Sequence, residues 1–187
     1  TASLLGRVTL NPRAHLDPAG SLLFLLALFG WGKPTPVNPA NMRGNPETGM
    51  AIVSVAGPVS NLALAFVLAL PVRAGIVDWQ PPFRAVPFQG AGAADAIADV
   101  LGYAILFNVF LAVFNLLPLP PLDGFKVAVG ALPRELARRI APLERYGPMP
   151  LMGLVLLEFV LPFGVLRSVL SPLADLVGRL VVGQPLR

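Results

Sequence analysis

The stretch NLLPLPPLDG, residues 115–124, interrupts a long apolar run that begins near Ala104. Its three prolines exclude a regular helix, because each removes a backbone N–H and clashes with the preceding turn. The pattern therefore predicts a helix that breaks and then presents the carboxylate of Asp123. An acidic side chain inside a membrane span costs about 2.5–3.5 kcal/mol, which marks Asp123 as a candidate functional residue. Irregular backbone persists at membrane depth only inside the protein or along a cavity, so the stretch indicates a site.

The composition of the chain favours a membrane protein. Of its 187 residues, 55% are hydrophobic and 13% are charged, and the mean hydropathy is +0.71. Soluble domains usually carry about 25% charged residues. The net charge of +4 forms no basic stripe, so we expect the lipid bilayer as a partner and no nucleic acid. The absence of cysteine excludes disulfides, thiolate metal ligands and a cysteine nucleophile.

Four apolar blocks approach or exceed the roughly 20 residues that a membrane span requires. They are a short span at residues 16–31 and longer spans at residues 50–72, 91–117 and 149–170. Glu158 lies inside the last block and needs a polar partner, whereas Pro162 predicts a kink in it. Residues 171–187 are predicted to form an amphipathic C-terminal tail at the membrane surface.

The remaining segments predict a strand and several loops. Residues 4–10 are typical of a short strand, within a strand-and-turn segment at residues 1–15. Residues 33–37 are typical of an extended arm that could pair with that strand. Residues 118–148 hold the proline-rich motif and a basic loop, for which the positive-inside rule favours the cytoplasm, although arginines elsewhere in the chain make the charge bias weak. We therefore predict a single membrane domain: an all-α integral membrane helix bundle with about four transmembrane spans and a small β element near the N-terminus.

A second motif, Gly57-Pro58-x-x-Asn61, lies inside the block at residues 50–72. Gly57 and Ser60 are small enough to let another backbone approach, as is usual in membrane helices. Asn61 carries an amide where an unpaired polar group is costly. Its amide either joins two helices by a hydrogen bond or points at a substrate carbonyl or a developing oxyanion. Both interpretations remain open at this point.

Taken in order and spacing, Gly57-Pro58-x-x-Asn61 and Asn115-x-x-Pro118-x-x-x-x-Asp123-Gly124 resemble motifs of the site-2 protease family of intramembrane zinc metalloproteases. Residues 6–18, 30–39 and 143–147 are similar to blocks of its compact bacterial branch. The resemblance implies a zinc cofactor with Asp123 as the third metal ligand. It also implies that Asn61 and Asn115 lie near the metal and help to hold the substrate. We therefore expect Asp123, Asn61 and Asn115 to converge within the bundle, at the closed end of a polar pocket. The expected location is the bacterial cytoplasmic (inner) membrane.

The chain departs from the family in its metal ligands. The other two ligands and the general base of that family come from His-Glu-x-x-His, in which two histidines lie one helical turn apart. This chain lacks that motif, and its one histidine is His15. We expect that the helix carrying the motif precedes Thr1 and is missing here. His15 is interpreted as capping the turn before Asp17, with a metal-binding role alongside Asp17 as the weaker alternative.

Two functions are compatible with the sequence. The first is an intramembrane zinc metalloendopeptidase that cleaves a membrane-spanning protein substrate. The second is a non-catalytic membrane subunit or scaffold that contacts neighbouring subunits in a larger complex. A catalytic zinc ion is bound by about three protein ligands and one water molecule. Because residues 1–187 supply one credible ligand, we expect this chain alone to be inactive.

Overall fold

The computed structural model describes residues 3, 5–9, 11–18, 21, 22, 25, 33, 37, 38, 41, 42, 45–80, 92–160 and 164–184. The chain divides into two compact units, Thr1–Pro46 and Glu47–Arg187. The described residues are mostly helical and contain no strand. The all-α prediction is therefore confirmed for the part of the chain that the structure describes.

The first unit differs from the predicted β element. Residues 5–9 form turns and bends, and Gly6 adopts a positive φ of 65° with its N–H bonded to the Ser3 carbonyl. That left-handed turn interrupts the extended backbone a strand needs. A short 3-10 helix, Pro12–Ala14, follows. Of the predicted arm, Lys33 donates its N–H to the His15 carbonyl at 2.8 Å, and His15 lies outside the predicted strand at residues 4–10.

The second unit contains six described α-helices. They are α1 (Pro46–Arg73), α2 (Ala93–Asn115), α3 (Asp123–Ala131), α4 (Arg134–Ile140), α5 (Met149–Val160) and α6 (Val165–Val182). A 3-10 helix, Ala141–Tyr146, joins α4 to the turn before α5. The break between α2 and α3 coincides with the proline-rich stretch, as the sequence predicts.

Helices α1 and α2 are the two described helices that are long and apolar enough to cross a membrane. They contain 28 and 23 residues and match the predicted spans at residues 50–72 and 91–117. The predicted short span at residues 16–31 lies largely outside the described residues. The prediction of about four spans is thus supported for two of them.

The predicted fourth span is not one helix. Helix α5 ends at Val160, before Pro162, and α6 begins at Val165. Gly164, directly before α6, has a ψ of 104°, which is not helical, so the two helices are separate at that residue. Glu158 finds its polar partners here, because its carboxylate accepts hydrogen bonds from the N–H groups of Leu166 and Arg167 at 2.8 and 3.3 Å. It therefore caps the start of α6, where unpaired N–H groups would otherwise remain.

Residues 171–182 of the predicted C-terminal tail continue α6. Helix α6 packs along α2. Its residues Leu170, Val181 and Val182 are buried in a core that contains side chains of α1 and α2, among them Ala65, Ala69, Ile105 and Val109. This burial requires α6 to be part of the bundle.

The ends of α1 and α6 lie side by side. The guanidinium of Arg73 donates hydrogen bonds to the carbonyls of Leu180 and Val181, both at 3.1 Å. A cation at a helix C-terminus pairs with carbonyls that lack an intrahelical donor. Arg73 therefore joins the last turn of α1 to the last turn of α6.

Candidate metal-ligand site

Asp123 is the first residue of α3. The side chain is half-buried, and no hydrogen bond or ion pair to its carboxylate is found in the described part of the chain. A carboxylate is favourable at a helix N-terminus, where N–H groups point outward. The fold thus positions a partly desolvated carboxylate whose oxygens are available to a ligand.

Gly57 of α1 lies against this carboxylate. A Cβ placed on Gly57 would be 3.2 Å from Oδ2 of Asp123, which is closer than most real Cβ contacts. Asn61 is one helical turn further along α1, so it shares the face of Gly57. Asn61 is half-buried, and its side chain makes no hydrogen bond to Asp123 within the described residues. The structure therefore brings the two sequence motifs together through Gly57 and Asp123.

Two further glycines fix the position of α3. A Cβ on Gly124 would meet the Leu116 carbonyl and would lie 2.5 Å from the Leu117 carbonyl oxygen. A Cβ on Gly130 would lie 2.5 Å from the Cβ of Ala51 on α1. The start of α3 therefore packs on the backbone that follows α2, and its end packs on the start of α1.

The contacts of Gly57 and Ala51 show how α1 and α3 are arranged. Gly57 and Ala51 are separated by about 9 Å along α1, and their partners Asp123 and Gly130 by about 10.5 Å along α3. The earlier residue of α1 meets the later residue of α3, so the two helices run in opposite directions where these contacts occur. Small residues on α1 permit this close approach, as the sequence indicated for Gly57. Ser60, which was expected to contribute as well, instead donates its hydroxyl to the Ala56 carbonyl at 2.7 Å.

Asn115 occupies the last turn of α2. Its amide nitrogen donates to the Leu111 carbonyl at 2.8 Å, one turn back in the same helix. This bond uses one amide hydrogen and leaves the amide oxygen as an acceptor. Its neighbour Leu116 touches Gly124, so Asn115 lies one residue from the backbone contact that supports Asp123. No contact among the described residues joins Asn115 to Asn61, and their convergence remains a prediction.

A described cavity of about 300 Å³ lies elsewhere in the second unit. It is lined by the residues after α1 and the start of α2, including Asp78, Gln80 and Asp95. None of the three predicted site residues lines it. The polar pocket expected around Asp123, Asn61 and Asn115 therefore remains a prediction.

His15 belongs to the first unit and is exposed. It follows the 3-10 helix Pro12–Ala14, and its Nε2 is 2.8 Å from the Thr9 carbonyl oxygen. A ring N–H at that distance donates to the carbonyl, as expected for a histidine that closes a local turn. The structure agrees with the capping interpretation of His15.

The sequence missed the partner of Gly57 and the roles of Gly124 and Gly130. The first motif signalled a close approach at Gly57, but nothing in it identifies a carboxylate as the approaching group. Gly130 lies seven residues after Asp123, a spacing of about two helical turns that places both on related faces of α3. That spacing could have indicated that Gly130 packs against the same helix as Asp123.

Comparison with known proteins supports the family resemblance. Residues 74–157 match the model of peptidase family M50. The chain is 37% identical to "Putative zinc metalloprotease YwhC" of Bacillus subtilis over 88% of this chain and 69% of that protein. It is 34% identical to "Putative zinc metalloprotease Rip2" of Mycolicibacterium smegmatis over 76% of this chain and 51% of that protein. It is 30% identical to "Putative zinc metalloprotease Rip2" of Mycobacterium tuberculosis over 81% of this chain and 54% of that protein. No solved structure matches the chain.

The chain spans about two thirds of the Bacillus relative and about half of the mycobacterial relatives. The names of these relatives support zinc as the cofactor. Among the described residues, no three His, Asp or Glu side chains lie close enough to hold a metal ion. Asp123 fits one zinc ligand, since carboxylate oxygen binds zinc and this one rests in a glycine cradle that a Cβ would fill.

The chain is 37% identical to a protein named as a zinc metalloprotease over most of its length, and two of its described helices are apolar enough to span a membrane. The match to the family model includes both Asn115 and Asp123. The chain therefore belongs to peptidase family M50, the site-2 proteases.

Proposed function

We propose that this chain provides part of the active site of an intramembrane zinc metalloendopeptidase that cleaves a membrane-spanning protein. The observation that carries the proposal is the half-buried Asp123 carboxylate, which has no hydrogen-bond partner in the described residues and lies against Gly57. Asp123 is the metal ligand in this proposal. The other two ligands and the general base come from a His-Glu-x-x-His helix outside these 187 residues.

Asp123 and the ligands from the other helix would hold a zinc ion, which would supply the Lewis acidity that activates a water and polarises the scissile carbonyl. The groups of this chain act around that chemistry. Asn61 offers an amide with no hydrogen bond in the described part of the chain, and it donates to a substrate carbonyl. Asn115 donates to its own helix, so its amide oxygen accepts from a substrate N–H. One donating amide and one accepting amide would together fix the position of an extended peptide segment along the site.

The substrate must present an extended segment, because the peptide groups of a helix are already bonded internally. Helices α1 and α2 are the described elements suited to lie in the bilayer beside it. The inner membrane of a bacterium is the proposed location. Isolated residues 1–187 are proposed to bind no zinc tightly and to cleave nothing, since one ligand does not define a tetrahedral site.

The test compares zinc content and cleavage of a membrane-spanning test substrate. The complete natural polypeptide should bind about one zinc and cleave the substrate, whereas the segment Thr1–Arg187 should do neither. Asp123→Asn in the complete polypeptide should lose most of the metal and the activity. Asp78→Asn is the matched control, because it makes the same change at an exposed carboxylate after α1.

Two results would contradict the proposal. Stoichiometric zinc in the segment Thr1–Arg187 would show that the ligands were assigned wrongly and would bring His15 forward. A complete polypeptide that contains no metal would instead support a non-catalytic subunit.

A further inference from the structure

We propose that Gly57 is a positioning residue that sets where the carboxylate of Asp123 can lie, an inference that rests on the proposed function of Asp123. The two residues lie on different helices, α1 and α3. The built Cβ of Gly57 meets Oδ2 of Asp123 at 3.2 Å, and it meets no other heavy atom within 4 Å in the described part of the chain, apart from its own helix and chain neighbours. The missing side chain at position 57 therefore makes room for this one carboxylate.

The other two glycines of the site have a different role. The space beside Gly124 is taken by the backbone carbonyls of Leu116 and Leu117, and the space beside Gly130 by Ala51 and the backbone of Glu47. Both glycines allow backbones to pack. Gly57 differs because its neighbour is the far end of a side chain, which can move without moving either helix.

The distance between the built Cβ of Gly57 and Oδ2 of Asp123 decides what a methyl group at position 57 would change. An ordinary contact with a Cβ begins at 3.4 Å, so the oxygen would have to retreat by at least the difference from 3.2 Å. Metal–ligand distances are held to within about 0.2 Å of their preferred values. A displacement of that size is small for the fold but comparable to the tolerance of a metal–ligand distance.

The fold should tolerate the same methyl group. The carboxylate of Asp123 has no hydrogen bond or ion pair to lose within the described residues, and a half-buried side chain can rotate. Alanine is also a better helix former than glycine. Gly57→Ala should thus separate ligand geometry from folding.

The experiment uses the complete natural polypeptide loaded with Co²⁺, whose visible absorption bands report the arrangement of ligands. Three variants are compared: Gly57→Ala, Asp123→Asn and Gly153→Ala. Gly153 is the matched control, because it is a helical glycine on α5 whose built Cβ has no atom of the described residues within 4 Å. Co²⁺ affinity is measured by competition with a chelator, and the melting temperature is measured on the metal-free protein.

Gly57→Ala should shift the Co²⁺ bands and weaken affinity by about 10–100-fold, the range seen when groups that orient a metal ligand are changed. Its metal-free melting temperature should match that of Gly153→Ala. If Asp123→Asn loses Co²⁺ but Gly57→Ala keeps the bands and affinity of the control, the positioning role is wrong and the proposed function stands. If Gly57→Ala lowers the metal-free melting temperature below that of the control, Gly57 is a packing residue and the inference is wrong.

Retention of both bands and affinity in Asp123→Asn has a wider consequence. Asp123 would then not be a ligand, and the proposed function and this inference would fail together. The three variants therefore distinguish a failure of positioning from a failure of ligand assignment.

Discussion

Gly124→Ala should destabilise the protein strongly, although alanine normally stabilises a helix. The added Cβ would lie 2.5 Å from the Leu117 carbonyl oxygen and would also meet the Leu116 carbonyl. Overpacking costs about 1–3 kcal/mol when side chains can adjust. Here the obstacles are backbone atoms that cannot rotate away, so we expect about 3 kcal/mol. For a chain of this size that corresponds to a fall in Tm of about 6–12 °C.

The assay is thermal unfolding in mild detergent, followed by loss of helical circular dichroism. Gly153→Ala is the control, because its Cβ would meet no atom of the described residues within 4 Å and should raise stability by up to about 1 kcal/mol. The comparison removes the effect of helix propensity, which both variants share. Equal melting temperatures for the two variants would refute the tight packing of α3 against the backbone after α2.

Two further predictions concern the helices that surround the site. Glu158→Ala should remove the cap from α6 at a cost of about 1–2 kcal/mol and speed amide hydrogen exchange at Leu166 and Arg167. Glu144→Ala, at an exposed position, is the control. Equal exchange rates in the two variants would contradict the capping role of Glu158. Val67→Arg should reduce membrane insertion, because Val67 is 57% exposed on α1 and a charge within a span costs about 2.5–3.5 kcal/mol. Insertion is measured by alkaline extraction of membranes against Val67→Leu, and unchanged insertion would argue that α1 does not cross the bilayer.

The sequence predicted the helical elements of the second unit well where apolar residues continue for more than 20 positions. Helices α1 and α2 follow the predicted spans closely, and the proline-rich stretch separates α2 from α3. Prediction was weaker where local chemistry opposes the pattern. Residues 5–9 have a strand-like composition, yet Gly6 turns the backbone to positive φ. The apolar block at residues 149–170 gives two helices, because the backbone of Gly164 is not helical.

The sequence predicted which residues belong to the candidate site, but it predicted their geometry only in part. Asp123, Asn61 and Asn115 come from motifs, and the distance along the chain does not say which faces meet. The structure brings Gly57 to Asp123 and bonds Asn115 to its own helix. It also gives Glu158 a role in capping α6, where the sequence showed only that a partner was required.

The sequence by itself determined that this is an apolar, helical chain with one histidine, no cysteine and the two motifs of its family. These properties depend on residue identity and on short-range periodicity, which are local. Only the tertiary structure decided that α3 lies antiparallel to α1, with the Asp123 carboxylate in the space left by Gly57. The pairing of helices depends on the fit of small residues from distant parts of the chain, and that complementarity exists only once the helices pack.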